Sequence, residues 1–84
     1  MTVRMLFFAH LRDVAGSPEL ALSLPEGATV RSAALELGKR SPGFAHLLDH
    51  VRVAVNAEFA SSDMALHEDD EVAWMPPMSG GIDA

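Results

Sequence analysis

The chain has 84 residues and no cysteine. That absence excludes disulfide staples, Cys-ligated zinc, a thiolate nucleophile and a persulfide carried on a side chain. Any sulfur handled by this protein must ride elsewhere. Basic residues are scarce: 6 stand against 12 acidic ones, for a net charge of −6 at pH 7. A nucleic-acid backbone needs clustered Lys and Arg, so nucleic acid is excluded and a neutral or basic protein partner is expected. No run of about 18 apolar residues exists to span a bilayer, and no membrane partner is expected. Met1-Thr2-Val3-Arg4 leads straight into a strand-like pattern rather than a signal-peptide layout, which implies a cytoplasmic protein. Gly-rich phosphate loops, nucleophile elbows and Ser/His/Asp arrangements are missing as well.

What is present suffices for one domain spanning residues 1–84, with 49% hydrophobic content. A chain of this size buries only about two-thirds of its unfolded surface, so the core must be economical. Met1 to Ala9 is apolar on both parities, Val3, Met5 and Phe7 against Leu6 and Phe8, as in a central strand. His10 to Pro18 breaks the pattern with turn chemistry at Gly16-Ser17-Pro18. Glu19 to Leu24 alternates cleanly, with Leu20, Leu22 and Leu24 inward, and pairs antiparallel with the first strand.

Thr29 is placed to N-cap a helix in which Val30, Ala33, Ala34 and Leu37 follow the i, i+3, i+4, i+7 template, with Gly38 and Lys39-Arg40 marking its end. Pro42 restarts a short helical turn, with Phe44, Leu47 and Leu48 inward. Val51, Val53 and Val55 form a third strand ended by Asn56, Phe59-Ala60 a brief fourth, Met64 and Leu66 return to the core, and Glu71 to Met75 is the last strand. The expected fold is α+β: a mixed sheet of four to five strands with one main helix across one face.

One helix covers one sheet face. The first and last strands offer apolar residues on both, so a partner patch containing Phe8 and Met75 is expected on the other face. The alternative is that the Phe44 segment and loops cover it. Beyond Met75, Pro76 and Pro77 remove two backbone donors and hold the chain extended, and Ser79-Gly80-Gly81 has almost no side chain. Residues 76–84 thus read as a flexible tail, stiff at its root and slim near its tip, suited to threading into a narrow cleft, with a frayed terminus as the alternative.

Met5-Leu6-Phe7-Phe8-Ala9, Arg12, Gly16, Ala54-Val55-Asn56 and Asp70-Glu71-Val72-Ala73, leading into Pro76-Pro77-Met78-Ser79-Gly80-Gly81, resemble the MoaD family, the small sulfur-carrier subunits of molybdopterin synthase. The resemblance implies a ubiquitin-like β-grasp fold. It also implies that the terminal glycine carboxylate is adenylylated by an E1-like adenylyltransferase, which uses ATP, and becomes a thiocarboxylate that donates sulfur to a pterin precursor in the large subunit. By position, Gly81 would carry the sulfur and Gly80 would give clearance. Pro76 and Pro77 would direct the tail, and Phe8, Arg12 and Met75 would contact partners. Arg12 reads equally as a solvated loop charge. The chain itself would bind no cofactor and act as the non-catalytic partner in a heteromer.

Three residues, Ile82-Asp83-Ala84, follow the double glycine, where the family usually ends. A processing protease that removes them would give Gly81 its carboxylate. Asp69 stands where a glycine is common and accepts left-handed turn geometry. A thiamin-thiazole sulfur carrier is the nearest rival, disfavoured by Phe7-Phe8 and Pro76-Pro77. A ubiquitin-like binding module or protein modifier is the other, and the single lysine, Lys39, gives it little scope for self-chains. His46 and His50 stand four apart on an expected helix without a third ligand, so no metal site is assigned.

Overall fold

The computed structural model describes residues 1–47 and 49–76. Five strands form one sheet: β1 (Thr2–Phe7), β2 (Glu19–Ser23), β3 (Arg52–Val55), β4 (Glu58–Phe59) and β5 (Glu71–Met75), in the spatial order β2-β1-β5-β3-β4. β1 and β5 run parallel in the middle and the other pairs are antiparallel, so the first and last segments of the fold lie side by side. The main helix, α2 (Val30–Arg40), lies on one face, giving the β-grasp arrangement.

Alternation decides which residues meet that helix. Met5 and Phe7 of β1 stand in register with Val72 and Trp74 of β5, and these four, with Val3, are buried. Val30, Ala33 and Leu37 of α2 close over them, buried as their spacing predicts. Thr29 caps α2 reciprocally: its hydroxyl accepts from the Ser32 amide and the Ser32 hydroxyl from its own. Trp74 is fully buried, and its indole N–H donates to the Met5 thioether at 3.1 Å, so its one polar atom is satisfied.

Several expectations need correction. His10–Pro18 contains a helix, α1 (Leu11–Ala15), which Gly16 ends in the left-handed conformation, φ 84°, with its N–H on the Arg12 carbonyl at 2.9 Å. Five residues are too few for a periodic signal, although Gly16 marked the end. The end of α2 needs no correction: it falls at Arg40, within the Gly38-Lys39-Arg40 signal, with both cations in the last turn and the Ser41 N–H on the Leu37 carbonyl at 2.9 Å. The third helix, α3 (Pro42–Ala45), begins at Pro42 as expected but ends before His46, so His46 and His50 do not share a helix. Met64 is exposed and only Leu66 of that pair is core, while Leu48 lies outside the described residues.

The hairpin from β3 to β4 turns on Asn56 and Ala57, both at positive φ, the geometry of a type I′ turn. Asp69 is left-handed too, φ 67°, as anticipated for its acidic turn.

Candidate functional site

Phe44 decides which sheet face is open. It is fully buried on the α2 side, with its ring edge-on to Phe7 at 5.6 Å and to Trp74 at 5.8 Å, both of which point inward. α3 therefore extends the helical layer, and the alternative in which it covers the opposite face falls away. That outer face carries Arg4 and Leu6 of β1, Glu71, Ala73 and Met75 of β5, and Arg52 and Ala54 of β3.

Along the strands this face changes character. At the β5 entry, the Arg4 guanidinium donates to the Glu71 carboxylate at 2.6 Å, and that hydrogen bond, then the charge itself, raises the arginine's already high pKa. Behind it, Asn56 donates to Asp70 at 2.9 Å and the His67 amide donates to the other Asp70 oxygen at 2.8 Å. The Asn56 bond is the largest cause holding the Asp70 carboxyl below its ordinary range; burial opposes it.

At the β5 exit, charge gives way to apolar surface. The Phe8 amide donates to the Trp74 carbonyl at 3.1 Å, carrying the parallel ladder one residue past β1 and setting Phe8 beside Met75. Phe8 is 44% exposed and Met75 half-buried. Ala9 then turns the chain away at positive φ into α1. Pro76, half-buried, ends β5 at this same corner, having no N–H to continue the ladder.

Of the residues anticipated from sequence, Phe8, Met75 and Pro76 are thus brought together. Arg12 is exposed in the first turn of α1, beyond the Ala9 turn. Pro77, Gly80 and Gly81, with Ile82-Asp83-Ala84, lie outside the described residues.

Two neighbours were not anticipated. Arg52 pairs with Met75 across β3 and β5, and its guanidinium sits 4.4 Å over the ring of Phe59, which is 65% exposed. Parity puts Arg52 on the same face as Ala54, but only the pairing of β3 with β5 brings it to the tail root. Among the described residues, no three His, Asp or Glu side chains group to hold a metal, and no helix is long and apolar enough to cross a membrane.

The corner can offer a partner an apolar platform beside the point where the last residues leave the sheet.

The chain is 33% identical to the molybdopterin synthase sulfur carrier subunit of Arabidopsis thaliana, covering 94% of this chain and 82% of that one. It is 35% identical to small archaeal modifier protein 1 of Haloferax volcanii, covering 88% and 94%. The crystal structure of SAMP1 from Haloferax volcanii superposes with a TM-score of 0.86 at 31% identity, over 96% of this chain and 100% of that one. The fold is ubiquitin-like, as the resemblance implied. With matched residues running continuously from Met5 in β1 to the second tail glycine at 81, the chain belongs to the ThiS family.

Proposed function

We propose that this chain is the sulfur carrier subunit of a molybdopterin synthase. An E1-like adenylyltransferase joins the Gly81 carboxylate to the AMP of ATP, releasing pyrophosphate. A sulfur nucleophile then displaces AMP, and the resulting thiocarboxylate gives its sulfur to a pterin precursor in the large subunit. Activation is needed because a carboxylate oxygen is a poor leaving group until it departs as AMP. The chain supplies reach and recognition, and the acids, bases and ATP site belong to its partners.

The observation that carries this reading is the apolar corner of Phe8 and Met75 beside Pro76, at the root of a segment whose sequence runs on to Gly80-Gly81. A partner gripping that corner would draw the following residues into its own active site. The family match ends at residue 81, and Ile82-Asp83-Ala84 lies beyond it, which supports removal of those three residues by a protease before activation.

The test is the intact mass of the protein purified from its own host with the cofactor pathway active. A chain ending at Gly81 with one oxygen replaced by sulfur is expected. Finding only chains ending at Ala84, with no sulfur-bearing species, would overturn the reading. Ile82→Pro, which obstructs cleavage, should prevent thiocarboxylate formation.

A second reading has its own support in the 35% identity to a relative named a modifier protein. There the same glycine is joined to lysine amines of other proteins. Co-purification separates the two: a discrete heteromer with one large subunit supports sulfur carriage, whereas diverse covalent adducts support modification.

A further inference from the structure

A concave surface of about 670 Å³ lies between α2 and the β3–β4 edge. Leu35, Val53 and Phe59 give it an apolar wall, and Leu35 and Phe59 are 60% and 65% exposed. It shares no lining residue with the corner of Phe8, Met75 and Pro76. Arg31 lines it from α2 and Arg52 from β3, the latter with its guanidinium held over the Phe59 ring. Asp49 is the only acid among the described lining residues.

The helix that forms one wall departs from the charge of the rest of the chain. Its exposed positions are Arg31, Leu35, Lys39 and Arg40, three cations and a leucine. Arg31, Leu35 and Lys39 are spaced i, i+4, i+8 and so form one stripe along the helix. Arg40 pairs with Glu36 at 3.5 Å, whereas Arg31 and Lys39 form no ion pair among the described residues. α2 thus carries three of the six basic residues and one of the twelve acidic ones in a chain of net charge −6. Lys39 and Arg40 suit the negative end of the helix dipole. Arg31 lies in the first turn, where the dipole opposes a cation and no acid offsets it. Helix stability therefore accounts for neither Arg31 nor the exposed Leu35.

We propose that this groove docks a short acidic segment of another protein, with an aliphatic side chain between Leu35 and Phe59 and carboxylates toward Arg31 and Lys39. The acidic chain as a whole favours neutral or basic partners, and this face is the exception. A concave apolar wall suits a peptide side chain better than a flat lipid surface, and the overall charge of −6 opposes an anionic membrane or a nucleic acid. The site does not depend on sulfur carriage, so each can fail without the other.

The test titrates the full chain, observed by amide NMR, with the blocked hexapeptide Glu-Asp-Leu-Leu-Asp-Glu. Two controls carry lysine at all four acidic positions or alanine at both leucines. The first peptide should shift the signals of Arg31, Leu35, Val53 and Phe59 and leave those of Phe8 and Met75 in place. Arg31→Glu, a change that the helix dipole favours, should weaken binding about fivefold, as for an exposed charge interaction, and added salt should act in the same direction. Leu35→Ala, which keeps a good helix former at that position, should weaken it as well. Absence of groove shifts at millimolar peptide, or equal shifts from either control, would overturn the proposal. So would tighter binding of the same residues to phosphatidylglycerol vesicles, which would make the stripe a lipid contact instead.

Discussion

The two faces of the sheet are made from the same strands and differ in almost every physical respect. The inner face places Val3, Met5, Phe7, Val72 and Trp74 under α2 and α3, all buried, with two aromatic contacts and an indole hydrogen bond fixing them. The outer face has no cover among the described residues. It grades from the Arg4–Glu71 pair to the apolar corner at Phe8 and Met75. A small domain with one packed layer is held together by one face of its sheet. On the proposed function, the outer corner next to Pro76 is where the partner grips.

This contrast breaks if inner-face substitutions alter binding without altering stability, or the reverse. The largest effect is expected at Phe44→Ala. Losing a fully buried ring from the junction of α3 with Phe7 and Trp74 should cost about 3–5 kcal/mol of unfolding free energy by chemical denaturation. Phe8→Asp is the counterpart on the outer face. It should leave stability within about 1 kcal/mol while weakening association with the large subunit by roughly 2 kcal/mol or more, about thirtyfold in Kd by calorimetry. A Phe8→Asp chain that unfolds would instead assign Phe8 to the core.

Smaller changes sharpen the contrast. Thr29→Ala removes the cap of the helix that covers the inner face and should cost about 1 kcal/mol, leaving partner affinity unchanged. The charged end of the outer face should show itself only in acid. Asp70 has its pKa lowered in the folded state, chiefly by Asn56, so its contribution is fully present above the ordinary value of 3.8 and is lost as pH falls through the lowered one. Asp70→Asn should flatten that part of the acid limb of urea-midpoint measurements. An identical limb in the variant would show that the Asn56–Asp70–His67 linkage contributes nothing to stability.

Legibility followed the range of the interactions involved. The last strand, the Thr29 cap, the Pro42 restart and the inward set of α2 were readable because caps, proline and side-chain periodicity act within a few residues. α1 escaped because five residues carry no period. Met64 was placed inward by its hydrophobicity alone, yet it stands exposed in the approach to Leu66.

The sequence by itself determined the β-grasp element order, the lack of thiol chemistry, the excess of negative charge and the slim Gly80-Gly81 segment, since each is a property of residue type and near neighbours. Only the tertiary structure decided that Phe44 packs on the α2 side rather than over the outer face, that Arg52 meets Met75, and that Phe8 stands beside the tail root. Those facts depend on pairings between segments distant along the chain, Arg52 with Met75 in one case and Met5 with Val72 in another. Strand pairing at that separation is set by the fit of the whole core, which no local pattern of residues encodes.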